Sequence, residues 1–226
     1  MYKTILVTGA TSGIGLALTH ELCNKGFTVL ASGRNLAQLN KLQLETSCFT
    51  FQADLSDPTQ VIDLYNYAER ELNGVDVLIN NAGMNSRKCG IDEFTLEEFD
   101  QQYAINLRAP ALLCREALNA MKPRGYGYII NVSSTVAKRA NETMSVYTAM
   151  KQGLSGFSGI LMKEAQTHGI KVSTLFPGGT DTNFREATRP DYMQPSSVAT
   201  TITTLLSLPQ DVIVHEMTFR PSVELE

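Results

Sequence analysis

The sequence predicts a doubly wound α/β fold: a parallel sheet of about seven strands with helices on both faces. Short apolar runs alternate with longer stretches of helical periodicity along the whole chain. Several of those runs lack polar alternation, as strands buried on both faces do. A glycine-rich turn joins the first run to the first helical stretch.

In order, the runs are KTILVT (3–8), FTVLAS (27–32), CFTFQ (48–52), VDVLI (75–79), YGYIINVS (126–133), IKVSTLF (170–176) and DVIVHEMTF (211–219). Between the first two, Ile14, Ala17, Leu18 and Leu22 recur at helical spacing behind Ser12, a candidate N-cap. SDP at 56–58 reads as a cap followed by a first-turn proline, opening the helix before the fourth strand. The tail HEMTFRPSVELE supplies the last strand and a short exposed end. No repeat, low-complexity tract or linker divides 1–226, which reads as one domain, close to the usual size of about 100–200 residues.

Hydrophobic residues make up 43% of the chain and charged residues 19%, enough to bury a core. A net charge of −4 lacks the basic footprint of nucleic-acid binders, so no nucleic-acid partner is expected. No apolar segment approaches the roughly 18 residues of a membrane span, and a cytoplasmic protein is expected. Cys23, Cys48, Cys89 and Cys114, with His20, His168 and His215, are scattered without ligand spacing, so no metal site or disulfide is expected.

TGATSGIG (8–15) runs from the first strand into the first helix. Gly9, Gly13 and Gly15 let the backbone approach a pyrophosphate, whose charge suits the helix N-terminus. Together with Thr11, Ser12 and Ile14 they are the candidate cofactor contacts of a dinucleotide site. At the end of the second strand, ASGRN has Gly33 where an acid would bind a ribose 2′-hydroxyl, followed by Arg34. A guanidinium there clamps a 2′-phosphate, which favours NADP(H) over NAD(H).

Farther on, Tyr147 and Lys151 in YTAMK share a helix face. A neighbouring ammonium favours phenolate and lowers the tyrosine's pKa, which suits a general acid/base. These motifs stand in register with DL (54–55), NNAG (80–83), Asn106 in YAINL, VSS (132–134) and PGGTDT (177–182). Over nearly its whole length the chain resembles the short-chain dehydrogenase/reductase family, which has a single-domain Rossmann fold.

The resemblance implies an NADP(H)-dependent oxidoreductase of carbonyl reductase type, acting on CH–OH and C=O groups of a small-molecule substrate. It implies that Tyr147 exchanges a proton with the substrate oxygen, while Lys151 holds the nicotinamide ribose and biases Tyr147 toward ionisation. Ser134, thirteen positions before Tyr147, is preferred over Ser133 as the hydroxyl that bonds the reacting oxygen. Asn106 would kink its helix and hold a water linking Lys151 to solvent. Asp54 would meet the adenine amine and Leu55 would line its pocket. Asn81, Ala82 and Gly83 would brace the sheet beside the adenosine ribose. Pro177 and Gly178 would face the nicotinamide, Thr180 would bond its carboxamide, and Thr182 would reach the pyrophosphate.

The glycine loop departs from the family in lacking the basic residue often found there with NADP, and leaves Arg34 as the discriminator. The lid at about 183–196 is short, which implies an open pocket tolerant of bulky substrates. Segments 84–94 and 135–145 and the lid should surround the substrate, with Lys138, Arg139, Arg185 and Arg189 read as solvated loop charges. By analogy the chain is expected to form a homodimer or homotetramer, and GLSGFSGILMKEA (153–165) has small and apolar residues suited to close packing. A non-catalytic NADP(H) sensor of the same fold is the alternative. The complete set of Asn106, Ser134, Tyr147 and Lys151 argues against it, since a sensor needs no proton donor.

Overall fold

A computed structural model describes residues 2–182, 184 and 188–224. Its strands are β1 (Thr4–Thr8), β2 (Thr28–Gly33), β3 (Phe49–Gln52), β4 (Val77–Asn80), β5 (Gly127–Val132), β6 (Ile170–Pro177) and β7 (Glu216–Phe219). They form one parallel sheet in the order β3-β2-β1-β4-β5-β6-β7. The chain order reverses between β1 and β4, so a crevice opens at their carboxyl ends.

Successive side chains of a strand face opposite sides of its sheet. Leu6, Leu30, Leu78 and Ile129 therefore join one core, with residues of α3 (Pro58–Glu71), α5 (Ala109–Met121) and α6 (Ser145–Gln166). Ile5, Val7, Val29, Ala31, Ile79 and Ile130 join the other, against α1 (Gly13–Asn24) and α7 (Pro195–Leu206). Two covered faces explain why β4, β5 and β6 are buried at every position. The edge strands β3 and β7 are partly exposed. The remaining helices are α2 (Leu36–Thr46) and α4 (Leu96–Tyr103).

The structure corrects three expectations. The run at 211–219 pairs as a strand only over Glu216–Phe219. The carbonyls before it are taken by side chains: Lys171 Nζ donates to Pro209 O and Val212 O, and Ser173 Oγ donates to Val214 O. Ser12 does occupy the N-cap of α1, but its side chain makes no capping bond. The tail is not simply an exposed end, because Pro221 is buried and Glu224 turns back onto the sheet edge. At α3, Asp57 caps with Oδ1 accepting from Thr59 N–H at 2.8 Å, and Pro58 follows it.

Of the expected lid, residues 183 and 185–187 lie outside the described residues. Among the described residues, no helix is long and apolar enough to cross a membrane, and no group of three His, Cys, Asp or Glu could hold a metal ion.

Candidate active site

The glycine loop lies in the β1/β4 crevice. Gly9 has φ +68°, and a Cβ there would come 2.8 Å from Ala82 Cα. A Cβ on Gly15 would collide with the Gly9 carbonyl oxygen. Only glycines therefore allow the loop to fold onto the end of β4. Thr8 Oγ1 accepts from the backbone N–H groups of Asn81 and Ala82, both at 3.1 Å. Asn81 Nδ2 returns a bond to Thr8 O at 2.9 Å, so its bracing of the sheet is direct.

The first turn of α1, which opens on this loop, lacks a side-chain cap and an acidic residue. Its N–H groups and positive dipole end suit an anion. A Cβ on Gly13 would sit 3.2 Å from Thr182 Cγ2, so the 177–182 segment closes the other side of the loop. The chain's own residues thus fit a dinucleotide lying across the carboxyl edge.

At the β2 and β3 end of that edge, Arg34 is exposed beyond Gly33, and a Cβ on Gly33 would strike Thr11. Asp54 Oδ1 accepts from Ser56 N–H at 2.9 Å and from Ser56 Oγ at 2.8 Å. Those bonds, chiefly the backbone one, and the nearby Arg34 charge hold its carboxyl below the usual range. Leu55 is buried behind it.

The other candidate residues gather at the ends of β4 and β5. Helix α4 passes into a π-turn at Ala104–Arg108 before α5, a distortion frequent at functional sites. The turn holds Asn106, fully buried, against the chain after Gly83. Its Oδ1 accepts from Met84 N–H at 3.0 Å, and its Nδ2 donates to Met84 O at 2.7 Å. This amide is therefore committed to Met84. A Cβ on Gly83 would lie 3.1 Å from Asn106 Oδ1 and 3.4 Å from Lys151 Nζ, so both side chains converge there.

Lys151 is 2% exposed, and its Nζ donates to Val132 O at 3.0 Å. Burial pulls its pKa down to about 8. The ammonium lies 5.8 Å from the centroid of the Tyr147 ring. Tyr147 is 7% exposed, with Phe184 at 5.6 Å between ring centroids. The adjacent serines diverge. Ser133 Oγ donates to Lys151 O at 3.2 Å, whereas half-buried Ser134 accepts from Val136 N–H at the start of a short 3-10 turn.

Past β6, Gly178 N–H donates to Phe219 O, and Thr180 Oγ1 donates to Gly178 O at 3.3 Å. Gly179 N–H donates to Glu224 Oε1 at 3.0 Å, and Arg139 lies 3.8 Å from the other carboxylate oxygen. Residues Pro177 to Thr182 are thus held from both sides.

Sequence reasoning missed several of these supports. Asn80 Nδ2 donates to Asn131 Oδ1 at 2.8 Å, and Asn131 Nδ2 to Ser158 Oγ at 2.9 Å. This buried chain ties β4 and β5 to the helix carrying Tyr147 and Lys151. An asparagine inside a strand buried on both faces, as in IINV, was the available signal. Gln102, buried on α4, and Glu224 carried none.

Comparison with known proteins agrees with this fold. The family model for short chain dehydrogenase matches residues 3–193. D-beta-hydroxybutyrate dehydrogenase from Cupriavidus necator is 34% identical over 181 residues, 78% of this chain and 70% of that protein. A metagenomic short-chain oxidoreductase in complex with NADP is 27% identical, with a TM-score of 0.88 over 98% of each chain. The closed form of serine dehydrogenase complexed with NADP+ superposes with a TM-score of 0.92 over 99% of this chain and 96% of that one. At 23% identity, that likeness is one of fold.

Proposed function

This chain belongs to the short-chain dehydrogenase family, and from that premise we propose that it is an NADP(H)-dependent oxidoreductase interconverting a carbonyl and a secondary alcohol. The observation that carries the reading is the buried Lys151 ammonium beside Tyr147, one helical turn away on α6. The glycine loop, Gly9 to Gly15, and the N-terminus of α1 would hold a dinucleotide that would supply or accept hydride at the substrate carbon.

The protein's part is the proton and the geometry. Tyr147 gives its phenolic proton to the carbonyl oxygen as charge develops there, and takes it back in the reverse direction. Ser134 donates a second hydrogen bond to the same oxygen. Its neighbour Ser133, which holds the Lys151 carbonyl, keeps α6 in place. Lys151 stabilises the Tyr147 phenolate, and its bond to Val132 O fixes where the ammonium stands. Asn106 holds the chain at Met84.

The preference for NADP(H) rests on Arg34, on the crowding by Thr11 that leaves no room for an acid at position 33, and on the NADP-bound relative at 27% identity. The remaining carried-over contacts are Gly9 to Gly15, Asp54, Leu55, Asn81 to Gly83, Pro177, Gly178, Thr180 and Thr182, all of which border the same edge. Self-association through α6 is supported by Ile160, 58% exposed, with open space over Gly156 and Gly159. The test of function is a panel of aldehydes, ketones, diketones and acyl thioesters with NADPH, followed by cofactor absorbance. Turnover is expected. Tight NADPH binding without turnover on a broad panel means a sensor instead.

A further inference from the structure

Two of the cysteines that stand scattered in the sequence meet in the fold, both as free thiols. Cys23 lies in the last turn of α1 and Cys48 just ahead of β3, at the amino edge of the sheet and away from the crevice. Three contacts bring these segments together. His20 Nε2, one turn before Cys23, lies 3.5 Å from Glu45 Oε2 at the end of α2. Thr46 Oγ1 accepts from Cys48 N–H at 3.3 Å and donates to Leu42 O at 2.8 Å, which fixes the turn that carries Cys48. Cys48, 3% exposed, belongs to the core cluster against which half-buried Cys23 packs.

The two thiols face each other closely enough to share a proton. Cys23 keeps it, because the hydrogen bond to Cys48, and then burial, raise its thiol above the usual range. The same bond, outweighing burial, lowers the Cys48 thiol, and the Thr46 hydroxyl adds to the effect. A pair so arranged holds both the thiolate that reacts with an oxidant and the thiol that resolves the product. The other cysteines are placed differently. Cys114 is fully buried, and burial pushes its thiol up to about 12. Cys89 lies in the segment after β4, at the opposite edge of the sheet.

We propose that Cys23 and Cys48 are a redox-active pair that a peroxide converts reversibly into an intrachain disulfide, joining the end of α1 to the start of β3. Proton exchange across the pair places the thiolate at Cys23, the sulfur that solvent reaches. It attacks one peroxide oxygen, the O–O bond breaks, and hydroxide leaves and takes up a proton as water. The Cys48 sulfur then attacks the Cys23 sulfenic acid: the S–O bond breaks, the S–S bond forms and a second water departs. Two electrons pass from the thiols to the peroxide. The disulfide also keeps Cys23 from the irreversible sulfinic stage. The inference stands independently of the oxidoreductase reading.

The test exposes the folded native chain to hydrogen peroxide, quenches it in acid, alkylates the remaining thiols in denaturant and maps the peptides without reductant. A peptide pair linked through Cys23 and Cys48 should appear, lighter by two hydrogens than the reduced pair, and should vanish with dithiothreitol. Cys114 should remain alkylatable throughout, and the thermal midpoint of the oxidised chain should equal or exceed the native value. Cys23→Ser and Cys48→Ser should each abolish the linked pair. In Cys48→Ser, Cys23 has lost its resolving partner and should accumulate sulfinic acid.

Cys23 and Cys48 both still alkylatable, after an exposure that consumes free N-acetylcysteine in a parallel tube, overturns the proposal. Linkage of either one to another cysteine does so as well. A thermal midpoint that falls on oxidation means that the sulfurs meet only after unfolding, and also sinks it. If the serine variants fail to fold, the peptide map of the native chain decides alone.

Discussion

Lys151 Nζ donates to the carbonyl oxygen of Val132, at the end of β5, at 3.0 Å. The bond anchors a fully buried ammonium whose pKa burial has pulled down to about 8. An unfolded lysine keeps its proton to about pH 10.4, so above about pH 8 the unfolded chain binds more protons than the folded one. The sign is therefore a penalty, fully present below about pH 8 and relieved as pH rises toward 10.4. Lys151→Met should raise unfolding free energy near pH 7 by about 1–3 kcal/mol, after loss of the Val132 bond, while impairing turnover. Urea denaturation near pH 7 and near pH 10 checks this, and the gain should shrink at the higher pH.

Asn106 satisfies both backbone groups of Met84 from a fully buried position. Asn106→Ala leaves that N–H and carbonyl without their partners and should cost about 2–4 kcal/mol. Asn106→Asp keeps the size but faces Met84 O with a carboxylate, and should be at least as destabilising near pH 7. Equilibrium denaturation of the two variants measures the cost, and an effect under about 0.5 kcal/mol would contradict it.

Arg34 stands exposed beyond β2, which ends on Gly33 rather than on an acidic residue. Arg34→Asp should weaken NADPH binding by about tenfold to a hundredfold and NADH binding far less, in fluorescence titrations of both cofactors. Equal losses would remove the phosphate-clamp role.

Glu224 acts on the site through Gly179, whose N–H it accepts at 3.0 Å. Glu224→Ala releases the segment carrying Thr180 and Thr182 and should weaken NADPH binding by about three- to tenfold. Glu224→Gln keeps an acceptor and should restore most of the affinity, whereas a purely electrostatic role would make the two variants alike.

The sheet was legible because its strands are short apolar runs at regular intervals, and because the glycine loop marks where β1 ends. The candidate residues were legible where several sit in one short motif, as Tyr147 and Lys151 do. What escaped depends on partners distant in sequence. Glu224 reaches Gly179 across 45 positions, and nothing in VELE announces that contact. Gln102 lies in LEEFDQQY, a helix that reads as polar and exposed, and only the packing of α4 against α6 and the π-turn buries it. The missing strand half at 211–215 has the apolar pattern of β structure, but Lys171 and Ser173 take its carbonyls. Ser12 has the residue type and extended backbone of an N-cap without the capping bond, a distinction carried by side-chain rotation alone.

The central claim is that Tyr147 supplies the proton. Its most direct measurement is kcat/KM of Tyr147→Phe with NADPH and the best substrate of the carbonyl panel, alongside the variant's NADPH affinity. The account predicts a loss of about a hundredfold or more in kcat/KM, with cofactor affinity within a few-fold of the native value. Near-native turnover by Tyr147→Phe would contradict it.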